Sequence, residues 1–108
     1  MKTSFAWWIL IIAGLFETAW AIGMKYSNGF TKLWPTIFTA ASMAISVALL
    51  SISLRVLPVG SAYAVWTGIG AVGTATLGIL IFEEPHDTYR LFFIFLIVVG
   101  IAGLRIVK

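Results

Sequence analysis

The first acidic residue in the chain, Glu17, lies within a long apolar run. From residue 5 to residue 24 no other side chain is charged. A charged side chain at the centre of a membrane-spanning helix costs at least ~2.5–3.5 kcal/mol, so a residue of this kind is a candidate for function. Withdrawal from water favours its protonated form, and a second carboxyl group nearby favours that form further. Such a group can exchange a proton for a cation, and the structural alternative is a protonated glutamate that hydrogen-bonds a neighbouring helix.

The residues that share a helical face with Glu17 would form a pocket around it. Spacings of three and four residues bring side chains to one side of a helix. On this face small residues lie towards one end and aromatic or bulky residues towards the other. The set consists of Ala13, Gly14, Glu17, Trp20, Ala21 and Met24.

A second apolar run carries a stripe of hydroxyl groups. Thr39, Ser42, Ser46 and Ser53 recur at intervals of three, four and seven residues. Ser46, near the middle of the run, is the best candidate to hydrogen-bond a carboxylate or to line a wet path. For the other three, contacts that join helices or bonds to their own backbone are an equal alternative.

The third apolar run combines aromatic residues with closely spaced glycines. Tyr63 and Trp66 share a face and could offer an O–H group and a π surface to a cation. Trp66 lies too deep for the interfacial role typical of membrane tryptophans. Gly68, Gly70 and Gly73 allow close helix contact or a bend at which the helix could switch between two openings.

The fourth run contains Gly100 and Gly103 and otherwise bulky apolar residues. It has no group suited to a polar substrate, and we interpret it as a dimerisation helix.

The composition places these residues in a membrane. Of 108 residues 61% are hydrophobic and only 10% are charged, which is far more apolar surface than one small soluble core could bury. About 20 helical residues cross a hydrocarbon core, and long continuous runs favour helices over a barrel. We therefore predict an all-α membrane protein with one domain, residues 1–108, and four spans at about 5–24, 34–54, 58–82 and 89–107.

Other classes of function find little support in the sequence. No cysteine is present, and His86 is the only histidine. The loop cluster of Glu83, Glu84, His86, Asp87 and Arg90 is far better explained as solvated loop than as a metal site. We expect no enzymatic activity, no cofactor and no metal site. We also expect no nucleic-acid partner, because the basic residues are scattered singly at helix ends.

The charge distribution hardly favours one orientation. If the helices alternate, four basic residues face one side and three the other: Lys2, Arg55, Arg105 and Lys108 against Lys25, Lys32 and Arg90. Both insertions are then expected, and a dimer of oppositely inserted copies would give the inverted symmetry that transporters use. The alternative is one fixed orientation. The first run also resembles a signal peptide, but Glu17 within it argues against cleavage.

Together these motifs identify a family. The segment AGLFETAWAIGMKYSNGF, with Glu17, Lys25, Gly29 and Phe30, and the segment LPVGSAYAVWTGIGAVG resemble the small multidrug resistance transporters over essentially the whole chain. This chain departs from the pattern of that family at Phe93, where many members carry a small residue. The resemblance implies an antiparallel homodimer in a bacterial inner membrane. It further implies two Glu17 side chains shared by substrate and protons, with Trp20, Ser46, Tyr63 and Trp66 as the pocket around them.

The sequence near Glu17 and in the third apolar run resembles the guanidinium exporters of that family more than the exporters of quaternary ammonium compounds. We expect export of guanidinium and small guanidinyl cations, driven by protons that compete for Glu17. Export of larger hydrophobic cations is the nearest alternative. A non-transporting accessory subunit is an alternative of another class.

Overall fold

Four long helices account for almost all of the computed structural model, which describes residues 1–107. They are α1 (Thr3–Tyr26), α2 (Leu33–Ser53), α3 (Val59–Phe82) and α4 (Thr88–Ile106). Each is 19 to 24 residues long and apolar enough to cross a membrane. The described residues include no strand. The predicted all-helical membrane architecture is therefore confirmed.

Local sequence explains where the helices begin and end. Pro58 is the N-cap of α3 with φ −60°, which suits the fixed geometry of proline at a helix start. Between α1 and α2 the chain turns through left-handed residues, including Gly29 at φ +72°. The Ser27 hydroxyl closes this turn by donating to the Met24 carbonyl at 2.7 Å and accepting from the Phe30 amide at 3.1 Å. These short turns force successive helices to run in opposite directions.

Side-chain contacts at both ends confirm the alternation. At one end the rings of Tyr26 and Phe82 lie 5.2 Å apart, so α1 and α3 finish together. At the other end the Arg105 guanidinium of α4 lies over the ring of Trp7 at 5.2 Å. The basic residues thus divide between the two ends as alternation predicts, except that Lys108 lies outside the described residues.

The helices are not packed equally. α1 lies at the centre and packs against α2 and α3, whereas α4 packs against α3. No residue of α4 is buried within the chain. The buried apolar core comes from α1, α2, α3 and the turn before α3: Ala6, Leu10, Ala13, Leu50, Leu57, Ala62 and Val65. The candidate site residues lie among these three helices.

Candidate functional site

Glu17 lies mid-way along α1 on the side that faces α3. Its side chain is half-buried within the single chain. Ala13 and Gly14, one turn earlier, are buried, and Trp20, one turn later, is half-buried. The face expected from helical spacing is thus turned towards the neighbouring helices rather than wholly towards lipid.

The backbone of α3 approaches the Glu17 side chain directly at Gly70. A Cβ atom at Gly70 would overlap the carboxyl group and would come within 2.8 Å of Glu17 Cγ. Real Cβ atoms do not tolerate such contacts, so only glycine fits this position without displacement. The close approach of α1 and α3 therefore depends on Gly70 and fixes one wall beside the carboxyl group.

A hydrogen-bonded relay connects α1, α2 and α3 one turn from Glu17. The Ser46 hydroxyl of α2 donates to the Ala13 carbonyl of α1 at 2.7 Å. The Trp66 indole N–H of α3 donates to the same hydroxyl oxygen at 2.9 Å. Ser46 is fully buried, and both of its partners belong to other helices. The relay holds the Trp66 ring in one orientation relative to the Glu17 face of α1.

Tyr63 extends this aromatic wall towards the surface of the chain. Its ring lies 5.5 Å from that of Trp66 at an angle of 52°. Tyr63 is 56% exposed, so one side of the aromatic pair is open within a single chain. The pair presents π surfaces of the kind that attract cations.

Two buried polar atoms near the centre have no hydrogen-bond partner among the described residues. They are Glu17 Oε2, an acceptor when ionised, and Trp20 Nε1, a donor. A buried polar atom without a partner costs free energy, and natural proteins keep few of them. Both atoms belong to one face of α1, so this face retains unused hydrogen-bonding capacity.

The remaining hydroxyls of the stripe behave differently from Ser46. Thr39 Oγ1 donates to the Pro35 carbonyl at 2.7 Å, and Ser53 Oγ donates to the Leu50 carbonyl at 2.8 Å. Both bonds lie within α2, which agrees with the alternative of bonding to their own backbone. Ser42 is buried on the same side.

Sequence reasoning missed Thr18. Its buried hydroxyl lies 3.4 Å from the Gly14 carbonyl of α1 and 3.4 Å from the Gly70 carbonyl of α3. Gly73 faces the same side chain, with Thr18 Cγ2 3.1 Å from the position of a Cβ. Adjacent helical residues diverge by about 100°, which placed Thr18 off the Glu17 face. The useful signal was a small hydroxyl residue beside the glutamate, opposite a glycine-rich helix.

The other predicted packing glycines fall into two groups. Gly14 lies against Ile69 of α3, where a Cβ would come within 2.6 Å, and Gly68 lies against Ile101 of α4. Gly100 and Gly103 of α4 have no atom within 4 Å of a built Cβ. The first group serves contacts inside the chain, and the second lies on an open face.

The polar loop between α3 and α4 is separate from this site. Its side chains are exposed, and Arg90 pairs with Asp87 at 3.1 Å. The described part of the chain contains no group of three or more His, Cys, Asp or Glu residues that could hold a metal ion.

The fold and these side chains define a class, namely a small helical membrane protein with an ionisable group in its interior. A family model described as Small Multidrug Resistance protein matches residues 5–97. The chain belongs to this family, and it is a multi-pass protein of the bacterial inner membrane.

Named relatives match nearly the whole chain. A "Guanidinium exporter" of Citrobacter freundii is 56% identical over 94% of this chain and 96% of its own length. Proteins with the same name from Salmonella typhimurium strain LT2 and Proteus vulgaris are 54% and 52% identical over 94% of this chain and 96% and 97% of theirs. The predicted family is confirmed, and the similarity extends over both segments on which the prediction rested.

Proposed function

We propose that this protein exports guanidinium and small guanidinyl cations in exchange for protons, and that it does so as an antiparallel homodimer. The observation that carries the proposal is the half-buried Glu17 side chain, whose buried Oε2 atom has no partner among the described residues. The names of relatives at 52–56% identity support guanidinium as the cation.

The chemistry of guanidinium matches this site. Guanidinium is planar and has only hydrogen-bond donors, so it needs acceptors arranged in a fork, which carboxylates provide. The Trp66 indole N–H is already used by Ser46 at 2.9 Å, so Trp66 offers its ring rather than a competing donor. We infer that Glu17 binds the donors while Trp66 and Tyr63 contact the face of the cation.

Competition at Glu17 is sufficient to couple the two flows. The carboxyl group holds either a proton or the cation, since only the ionised form binds guanidinium. If the dimer changes its open side when it carries either one, an inward proton gradient drives the cation outward. Guanidinium binding should accordingly weaken as the pH falls.

A second copy of the chain would complete the site. One chain leaves Glu17 half-buried, Tyr63 exposed and α4 without a buried residue. A dimer with one copy inverted would bring two Glu17 side chains to a shared pocket. The near balance of basic residues between the two ends supports insertion in both orientations.

The test is guanidinium flux by the purified protein in liposomes under an imposed pH gradient. The wild type should transport guanidinium without any other protein, which would exclude a non-transporting accessory subunit. Glu17→Gln keeps the size of the side chain but cannot ionise, and it should abolish gradient-driven flux. Glu84→Gln, in the exposed loop, is the matched control and should transport like the wild type. Gradient-driven flux in Glu17→Gln would overturn the mechanism.

Substrate competition distinguishes the two types of exporter. Unlabelled guanidinium should suppress labelled guanidinium flux, and tetraalkylammonium ions should suppress it weakly. Transport of tetraalkylammonium without transport of guanidinium would assign the chain to the quaternary ammonium exporters instead.

A further inference from the structure

The two ends of the helix bundle differ in charge. One end, here called the cationic end, carries Lys2, Arg55 and Arg105 and has no acidic residue among the described residues. The opposite end carries three basic and three acidic residues: Lys25, Lys32, Arg90, Glu83, Glu84 and Asp87. The counts of basic residues are similar, so the difference lies in where the acids are. An anion is attracted to the cationic end only.

A cavity of about 680 Å³ opens at the cationic end. It is lined by the start of α1, the turn before α3, the first turn of α3 and the end of α4. Its polar side chains are Thr3, Ser61 and Arg105, and apolar residues such as Leu57 and Leu104 line much of the rest. Because it lies where three spans begin or end, it sits at the boundary between hydrocarbon and headgroups.

Arg105 is one of the residues that line this cavity. Its guanidinium lies over the Trp7 ring at 5.2 Å, and it forms no ion pair with any described residue. A cation–π contact of this kind leaves the guanidinium N–H donors free. The planar fork of a guanidinium group matches phosphate oxygens bidentately. Thr3 and Ser61, which also line the cavity, add two hydroxyls that can donate hydrogen bonds.

We propose that this cavity binds the phosphate of an anionic phospholipid, with Arg105 as its principal ligand. The apolar lining suits the glycerol and the first methylenes of the acyl chains. No acid of the described chain lies at this end to bind the positively charged group of a zwitterionic headgroup, which favours an anionic lipid. A lipid seated here would also join the end of α4 to α1, although α4 packs along its length only against α3.

Native mass spectrometry of the full-length protein in detergent tests this site. We expect the wild type to retain phosphatidylglycerol in preference to phosphatidylcholine with the same acyl chains. Arg105→Gln should weaken phosphatidylglycerol binding about tenfold, the effect of losing a charge-assisted hydrogen bond. Arg55→Gln, which removes a charge at the same end outside the cavity lining, should leave binding within about twofold of the wild type.

Two further arms keep the result decisive. Ser61→Asp places a negative charge inside the cavity and should also weaken phosphatidylglycerol binding, even if Arg105→Gln fails to fold. Inorganic phosphate at millimolar concentration should not displace the lipid. The proposal is overturned if the Arg55 and Arg105 variants lose phosphatidylglycerol equally, if phosphatidylcholine is retained equally, or if phosphate displaces the lipid. It is also overturned if the dimer retains no lipid, because a second copy of the chain would then block the cavity.

Discussion

The helix α4 packs differently from the other three helices, α1, α2 and α3, although all four are apolar. The first three are joined by buried hydroxyls and by glycines that let backbones approach, as Ser46 and Gly70 illustrate. α4 buries no residue, and its Gly100 and Gly103 face open space within the chain. Both regions are similarly apolar and long enough to span the membrane.

The difference shows what holds helices together in lipid. Lipid tails are as apolar as leucine, so apolar composition alone gives helices no reason to associate. Small residues and interhelical hydrogen bonds supply that reason. Among the described residues the interhelical side-chain hydrogen bonds join α1, α2 and α3, whereas α4 meets only Gly68 of α3 among the glycines. The open glycine face of α4 has the features of a contact surface without a partner inside the chain, which supports our hypothesis that it serves dimerisation.

The largest effect is expected from adding a methyl group where α1 and α3 pack closely. Gly70→Ala would put its Cβ into the Glu17 side chain. Overpacking of this kind costs about 1–3 kcal/mol, and it moves the carboxyl group, so guanidinium flux in liposomes should fall at least about tenfold. Gly60→Ala, also in α3 but with no atom within 4 Å of its Cβ, should transport normally. Equal activity of the two variants would contradict the packing of α3 against Glu17.

A smaller effect is expected from removing the relay hydroxyl. Ser46→Ala leaves the Trp66 N–H and the Ala13 carbonyl without their shared partner. The unfolding free energy, measured by SDS titration in mixed micelles, should fall by about 1–2 kcal/mol, and the KM for guanidinium should rise. Ser53→Ala is the control, since Ser53 is equally buried but bonds only within α2. Its cost should stay below about 1 kcal/mol; a larger cost than that of Ser46→Ala would refute the relay.

The smallest effect on the chain itself is expected in α4. Gly100→Ala meets nothing within 4 Å, so the stability of the single chain should change by less than about 1 kcal/mol. The dimer should dissociate several-fold more readily, as measured by energy transfer between labelled subunits at increasing dilution in detergent. Unchanged dissociation in both Gly100→Ala and Gly103→Ala would remove α4 from the dimer interface.

The sequence predicted the helices because long apolar runs in a short chain allow few other folds. Glu17 was predictable as a site because burying a carboxyl group is costly, and Ser46 because it lies at the middle of its run. Trp66 was predictable from its depth. Helical periodicity predicted which of these residues share a face within one helix, but it did not predict how residues of different helices are arranged relative to one another.

Contacts between helices were not predictable in detail. Nothing in the sequence identified the Ala13 carbonyl as the partner of Ser46, because that pairing depends on the vertical register of α1 and α2. Gly70 could not be singled out from ten glycines as the one beside Glu17. Thr18 escaped because its contact with α3 depends on the rotation of α1 about its own axis.

Proton release on guanidinium binding is the most direct measure of competition between protons and the cation at Glu17. Guanidinium is added to purified protein in weakly buffered detergent near neutral pH, and the change in pH is recorded. We expect the wild type and Glu84→Gln to release protons, because guanidinium displaces them from Glu17, and we expect Glu17→Gln to release none. Binding of guanidinium to the wild type without proton release, or undiminished release from Glu17→Gln, would contradict competition at this carboxyl group.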